Sequence, residues 1–226
     1  PKTIDNDLWG TDMTFGFQSA VNIATNAIDC IHTTAASHRR VFIVEVMGHK
    51  VGWLTLHAGL AGGADIILLP EIPYDINVVC DAITKRSKAG KRFSILAVAE
   101  GAISKGDKVL SEEERRRQKE ANPYSTISYR IADELEKLTG QEARVTVPGH
   151  YQRGGPACPY DRVLATRFGT AAARMIMEQK YGYMVGIQAG QIVYVPLEEA
   201  ASRTKFLPVD HPLIQTARDA GTGFGD

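Results

Sequence analysis

Two spacings of apolar residues alternate along the chain. Residues 14–36 carry apolar side chains at helical spacing, whereas residues 41–46 form a short apolar run rich in β-branched side chains, typical of a buried strand. The same two patterns predict helices at 51–60, 75–89 and 126–138, and strands at 66–69, 93–99 and 143–147. This alternation predicts an α/β fold, with a doubly wound, mostly parallel sheet and helices on both faces.

The remaining segments give simpler expectations. Residues 160–180 are predicted to form a long helix, and residues 198–203 a short one. Ala189-Gly190 separates two apolar runs, at 184–188 and 191–195, which indicates a hairpin. The charged run 111–119 is interpreted as a solvated helix with Ser111 as its N-cap, and the glycine-rich stretch 221–225 as a flexible tail.

Three of the predicted strands are followed by loops that suit ligand binding. These loops are Met47-Gly48-His49, Glu100-Gly101 and residues 148–155. Ligands of parallel sheets bind beyond the carboxyl ends of the strands, so we expect the three loops to converge at one edge. The third loop contains His150 and Arg153, and a guanidinium can bind a phosphate through two hydrogen bonds.

The first stretch of the chain is rich in polar side chains. Asp5 and Asp7 flank Asn6 and follow Lys2-Thr3, with Ile4 as the apolar member. A carboxylate here can act as a general base, and a second carboxylate nearby raises the proton affinity of the first. The spacing alone fits an exposed turn as well as it fits a site.

Composition excludes several classes of function. The chain of 226 residues is 44% hydrophobic and 23% charged, as in ordinary globular proteins. Lys and Arg together equal Asp and Glu at 26 each, so no global field attracts nucleic acid or an anionic membrane. The three cysteines have no metal-ligand spacing, and we expect reduced thiols and a cytoplasmic location. The chain starts with Pro, and we expect it to begin inside a larger polypeptide.

Several motifs together resemble the 6-phosphofructokinase family. They are Pro-Lys-Thr-Ile-Asp-Asn-Asp at 1–7, Glu-Val-Met-Gly at 45–48 and Pro-Tyr-Asp-Arg-Val-Leu-Ala at 159–165, and the resemblance covers nearly the whole chain. It implies a phosphofructokinase-like fold and a glycolytic enzyme. The implied reaction transfers a phosphoryl group from ATP or pyrophosphate, with Mg2+, to the 1-hydroxyl of fructose 6-phosphate.

The resemblance also implies roles for individual residues. Asp5 would be the catalytic base, Asp7 would support it and hold the metal, and Thr3 would belong to both the catalytic and the sugar-binding set. Lys2 and His49 would relate to the donor. The further substrate-binding residues would be Arg40, Met47, Gly48, Glu100, Arg144, His150 and Arg153. Because Arg40 and Arg144 would serve an adjacent subunit, the resemblance implies a homo-oligomer, either a tetramer or a dimer.

Two departures from the family pattern leave alternatives open. His49 stands where the family usually has Arg, and nothing here resembles the glycine-rich loops that hold the donor. We therefore expect a sugar-phosphate-binding domain at 17–151, with pieces of the donor domain at 1–16 and 152–226. The alternatives are a non-catalytic sugar-phosphate-binding fragment or regulatory subunit, and a doubly wound domain for another phosphorylated ligand.

Overall fold

The computed structural model describes residues 1–37, 40–111, 113–114, 117 and 124–226. The predicted charged helix at 111–119 lies largely outside the described residues. Within it, Ser111 and Glu114 exchange hydrogen bonds between side chain and backbone, as expected for an N-cap. The strands are β1 (Lys2–Thr3), β2 (Phe15–Gly16), β3 (Val41–Val46), β4 (Ile66–Leu68), β5 (Ser94–Ala99), β6 (Ala143–Thr146), β7 (Tyr183–Gln188) and β8 (Gln191–Pro196).

Helices separate most of these strands. They are α1 (Phe17–Ala35), α2 (Trp53–Ala61), α3 (Ile76–Lys88), α4 (Lys105–Lys108), α5 (Ile127–Thr139), α6 (Pro159–Met177), α7 (Leu197–Ser202) and α8 (Pro212–Asp219), with a 3-10 segment at Gly149–Arg153. The long helices and buried strands lie close to their predicted bounds. The prediction of alternating helices and strands is therefore confirmed.

The central sheet has four parallel strands in the order β4-β5-β3-β6. β3 lies in the middle, with Val46 beside Ala99 of β5 and Val44 beside Thr146 of β6. The loops that follow β3, β5 and β6 therefore leave the same edge of the sheet. This confirms that the three predicted ligand loops converge.

Helices cover both faces of this sheet, as predicted. Alternate residues of β3 point to opposite faces: Phe42 and Val44 pack with α1, α2 and α8, whereas Val41 and Ile43 pack with α3 and α5. The two cores explain why five of the six residues of β3 are apolar: all six, including Glu45, are buried.

Helix α1 starts later than its apolar pattern predicts. Residues 14–16 were expected to be helical, but Phe15 and Gly16 pair with Lys2 and Thr3 in a short parallel ladder. Gly16 then precedes the helix with φ 103°, which glycine adopts without strain. The polar N-terminal stretch is thereby attached to the start of α1.

A third cluster joins the N-terminal stretch to α6 and the hairpin. Phe168 of α6 packs with Val185 and Ile187 of β7, and Phe15 lies against this cluster. The hairpin between β7 and β8 is confirmed, and its two turn residues, Ala189 and Gly190, have φ values of 47° and 79°. Outside this cluster, large apolar side chains of α6 and its surroundings are exposed, among them Val163, Ile176, Met177 and Tyr181.

The prediction of a flexible tail at 221–225 is wrong. Gly223 accepts a hydrogen bond from the N–H of Ile67 (2.9 Å) and donates one to the carbonyl of Asp65 (3.0 Å). Phe224 is 1% exposed and packs in the core beneath the sheet. The glycines here allow the chain to dock closely, because a Cβ at Gly225 would lie 3.0 Å from three side-chain atoms.

No helix within the described residues is both long enough and apolar enough to cross a bilayer. The three cysteines, Cys30, Cys80 and Cys158, are free thiols, and Cys30 is the exposed one.

Candidate active site

The loop after β3 is held by the residue that follows β5. Glu100 Oε1 accepts hydrogen bonds from the N–H of Gly48 (3.2 Å) and of His49 (2.7 Å). Gly48 has φ 146°, and a Cβ there would lie 2.6 Å from the carbonyl oxygen of Val51. Gly101 is equally constrained, since a Cβ would lie 2.0 Å from the carbonyl oxygen of His49. The predicted sugar-contacting turn is thus a fixed structure, and Glu100 organises it.

A buried glutamine ties the third loop to the first. Gln152 is 1% exposed. Its Oε1 accepts a hydrogen bond from the N–H of Met47 (3.2 Å), and its Nε2 donates to the carbonyl of Gly149 (3.2 Å). His150 and Arg153 flank Gln152 in the 3-10 segment, and both are exposed. Gln152 was not among the predicted site residues.

A cavity of about 100 Å³ lies between the three loops. It is lined by Glu45, Met47, Glu100, Val147, Gly149, His150 and Gln152. Glu45 is 6% exposed, and its Oε2 accepts a hydrogen bond from the N–H of Ser128 at the start of α5 (3.3 Å). Two carboxylates and an imidazole therefore border a small cavity at the carboxyl edge of the sheet.

Asp5 lies within the electrostatic reach of the same loops. Partial burial raises the pKa of the Asp5 carboxyl above its usual value, and the charges of Asp7 and Glu100 raise it further. The charges of Arg153 and His49 act in the opposite direction and lower the pKa of Asp5. Charged groups of the loops after β3, β5 and β6 therefore act electrostatically on Asp5.

Local hydrogen bonds fix the backbone around Asp5. The N–H of Asp5 donates to Thr3 Oγ1 (3.1 Å). Asn6 is 2% exposed and has φ 55°, a left-handed conformation that Asn tolerates better than most residues. Its Oδ1 accepts the N–H of Thr14 (3.0 Å), and its Nδ2 donates to the carbonyl of Asp12 (3.2 Å). We call residues 5–12 the acidic turn.

A lysine from the far end of the chain also binds the acidic turn. Lys205 Nζ donates to Asn6 Oδ1 (2.9 Å) and to the carbonyls of Thr11 (2.8 Å) and Asp12 (3.1 Å). Burial lowers the pKa of Lys205 to about 8, and the charges of Asp12 and Asp7 oppose this shift. Sequence reasoning missed Lys205, because its partners lie up to 199 positions away.

Two of the predicted phosphate-binding arginines lie elsewhere. Arg40 precedes β3, and Arg144 lies beside Phe42 near the start of the same strand. Both form ion pairs with Glu142. They therefore lie toward the amino edge of the sheet, whereas Met47 and Glu100 follow its carboxyl edge.

The remaining predicted residues divide by exposure. Lys2 and His49 are exposed, Thr3 and Asp7 are half-buried, and Gly48 is buried. Within the described part of the chain, no three His, Cys, Asp or Glu side chains come together as a metal site. Chemically, the site combines a carboxyl of raised pKa, which can accept a proton, with an exposed guanidinium and imidazole, which can bind an anion.

Comparison with known proteins gives consistent matches. The family model described as Phosphofructokinase matches residues 1–176. An ATP-dependent 6-phosphofructokinase of Spirochaeta thermophila is 56% identical over 226 residues, which are all of this chain and 62% of the relative. An ATP-dependent 6-phosphofructokinase of Propionibacterium freudenreichii subsp. shermanii is 48% identical, with all of this chain and 65% of the relative covered. The chain thus spans less than two thirds of the length of these curated relatives.

Solved structures give the same result. Phosphofructokinase from Saccharomyces cerevisiae superposes with a TM-score of 0.77 at 35% identity, over 97% of this chain and 27% of that chain. A pyrophosphate-dependent phosphofructokinase from Marinobacter aquaeolei superposes with a TM-score of 0.77 at 27% identity, over 99% of this chain and 56% of that chain.

Proposed function

The chain belongs to the phosphofructokinase family, and we propose that it forms the sugar-phosphate part of an active site that phosphorylates the 1-hydroxyl of fructose 6-phosphate. The observation that carries this proposal is the grouping of Asp5 with Asp7, Glu100, Arg153 and His49. A proton acceptor and two groups that can bind anions then influence one another electrostatically, as expected for a site of phosphoryl transfer to a hydroxyl.

In the proposed mechanism Asp5 is the general base. The 1-hydroxyl loses its proton as its oxygen bonds to the transferred phosphorus, and Asp5 accepts that proton. Burial, Asp7 and Glu100 all raise the pKa of Asp5, and this brings its proton affinity nearer to that needed at neutral pH. Thr3 fixes the backbone of Asp5, because its hydroxyl oxygen accepts a hydrogen bond from the N–H of Asp5. We also propose that Thr3 contacts the sugar.

The sugar phosphate is assigned to the loops at the carboxyl edge. Arg153 and His150 would bind the 6-phosphate, while Met47, Gly48 and Glu100 would contact the sugar. Glu100 Oε1 already accepts two backbone N–H groups, and a carboxylate has further lone pairs for sugar hydroxyls. His49 and Lys2 remain the residues proposed to act toward the donor.

Arg40 and Arg144 are proposed to bind the 6-phosphate of a neighbouring subunit. Both pair with Glu142 toward the amino edge of the sheet, away from this chain's own Glu100. Their placement away from this chain's own site supports a homo-oligomer, either a tetramer or a dimer, in which they would serve a neighbouring subunit. A cytoplasmic location follows from the proposed glycolytic reaction.

We propose Mg2+ as the metal that accompanies the donor, with Asp7 as its ligand. Mg2+ is usually bound through one or two carboxylates and the donor phosphates, and Asp7 supplies one such half-buried carboxylate. When bound, Mg2+ would neutralise charge on the transferred phosphoryl group. The chain's own part is to hold Asp7 near Asp5, where its charge acts on the pKa of Asp5.

The donor is ATP or pyrophosphate. Curated relatives at 48–56% identity are named as ATP-dependent enzymes, whereas a pyrophosphate-dependent structural relative is 27% identical, so the comparisons favour ATP.

We propose residues 17–151 as the sugar-phosphate-binding domain and residues 1–16 and 152–226 as parts of the donor domain. Helix α8 nevertheless packs on the core of the first of these domains.

The test uses a protein of the relatives' full length that contains this chain, hereafter the full-length protein. Wild type and Asp5→Asn are assayed with fructose 6-phosphate and either ATP or pyrophosphate, with the exposed Asp29→Asn as a matched control. We expect Asp5→Asn to lower kcat by about 100-fold to 10,000-fold while the sugar phosphate still binds. Turnover near that of wild type would refute the assignment of the base. A wild-type protein that uses neither donor would refute the proposed function.

A further inference from the structure

The described hydrogen bonds of the Lys205 side-chain nitrogen all go to the acidic turn. An ammonium group has three donors, and those of Lys205 have three acceptors, namely the side-chain oxygen of Asn6 and the carbonyls of Thr11 and Asp12. All three distances are between 2.8 and 3.1 Å. A tetrahedral ammonium suits this arrangement better than a planar guanidinium would.

The main chain of Lys205 joins the same turn to the core. Its N–H donates to the carbonyl of Asp7 (2.8 Å), and its carbonyl accepts the indole N–H of Trp53 (2.9 Å). Trp53 is 9% exposed and belongs to the core under the sheet, and its ring lies 5.4 Å from Lys205 Nζ. The backbone of Lys205 is therefore bonded both to the core, through Trp53, and to the acidic turn, through Asp7.

The acidic turn needs such a support. Asn6, between Asp5 and Asp7, has the left-handed φ of 55°, which costs free energy unless neighbouring groups stabilise it. Its Oδ1 accepts from both Lys205 and Thr14. If Lys205 were removed, this oxygen would keep one partner, and the carbonyl of Thr11 would lose the partner described here.

We propose that Lys205 is a positioning residue for phosphoryl transfer: it holds Asp5 and Asp7 at the angle from which they reach the sugar hydroxyl and the donor. This inference rests on the proposed function. Lys205 itself touches neither substrate. Its effect is expected on turnover, because a misplacement of about 1 Å in a reacting group can lower the rate about 100-fold.

The experiment substitutes Lys205→Met in the full-length protein, which keeps the length of the side chain and removes its three donors. Lys205→Gln, which keeps one amide donor group, is the second variant. Lys180→Met is the matched control, because Lys180 is exposed and pairs with Glu178 on the surface. For each variant we would measure kcat, KM for fructose 6-phosphate, and amide hydrogen exchange of Thr14, whose N–H binds Asn6.

The proposal expects a loss of kcat of about 100-fold for Lys205→Met, a smaller loss for Lys205→Gln, and a KM within threefold of wild type. Thr14 should exchange faster in both variants, whereas the strand at 41–46 keeps its protection. A kcat within threefold of wild type for Lys205→Met would overturn the proposal. The proposal would also be overturned if kcat and the affinity for fructose 6-phosphate declined equally and protection at 41–46 was lost. That result would indicate general destabilisation.

The exchange measurement separates the two possible failures. If wild type transfers no phosphoryl group to fructose 6-phosphate, the proposed function is wrong. In that case unchanged exchange of Thr14 in Lys205→Met would separately refute the claim that Lys205 supports the acidic turn. If wild type is active and Thr14 exchange is unchanged, the positioning role alone is refuted.

Discussion

We predict that Gln152 controls the affinity for the sugar phosphate. Because Gln152 is almost fully buried, its effect would come from the loops that it holds and not from contact with the ligand. It is 1% exposed and links Met47, in the loop after β3, to Gly149, in the loop at 148–155. Gln152→Leu keeps the volume of the side chain and removes both hydrogen bonds. The N–H of Met47 and the carbonyl of Gly149 are then left without this partner.

The size of the effect follows from these two bonds. An unpaired buried polar group costs about 1–3 kcal/mol, and both Met47 and Gly149 are half-buried, so water can partly replace the glutamine. We therefore take about 1 kcal/mol for each group, or about 2 kcal/mol in total. If the ligand has to reorder both loops, this corresponds to a Kd for fructose 6-phosphate that is about 30-fold higher.

The assay is calorimetric titration of the full-length protein with fructose 6-phosphate, together with urea unfolding. Gln215→Leu is the matched control, because the side chain of that exposed glutamine bonds to Asp219 within its own surface helix. A Kd for Gln152→Leu within twofold of wild type would refute the reasoning, since the loops would then keep their positions without the glutamine.

Three further predictions test other parts of the structure. Phe224→Ala should lower the free energy of unfolding by about 3–5 kcal/mol in a urea titration, because the ring is fully buried; no change would mean that the segment does not dock. Gly101→Ala should weaken binding of fructose 6-phosphate, since its Cβ would lie 2.0 Å from the carbonyl oxygen of His49 and displace the turn; calorimetry with unchanged affinity would contradict this. The pKa of Asp5 is raised on folding, so the charged form destabilises the fold as pH rises through the folded pKa, and Asp5→Asn should be more stable than wild type at pH 7. That difference should shrink as pH falls through the folded pKa and level off below the unfolded pKa of about 3.9, and a difference independent of pH would be the contrary result.

The parts of the fold that follow from local pattern were predictable. The strand at 41–46 is buried on both faces, so its sequence is apolar except for Glu45 and stands out from its surroundings. Parallel strands place their following loops at a common edge, and this rule predicts that the loops with Met47, Glu100 and His150 converge, as they do at one cavity.

The parts that depend on distant partners were not predictable from local pattern. Gln152 meets Met47 across 105 positions, and Lys205 meets Asn6 across 199. Phe224 lies among glycines, which indicate flexibility. It is identified as a core residue only because the adjacent Gly223 forms hydrogen bonds at β4. A buried polar side chain is recognised from its partners, and sequence spacing does not contain them.

The most direct test of the central claim is calorimetric titration of the full-length protein with fructose 6-phosphate, comparing wild type with Arg153→Ala. Arg167→Ala is the control, because this exposed arginine binds the carbonyl of Gly190 away from the site. We expect saturable binding by wild type and by the control, and a Kd raised at least about 10-fold in Arg153→Ala, since each charge-assisted bond contributes about 1.5–3 kcal/mol. Equal affinity in all three proteins, or no saturable binding by wild type, would contradict it.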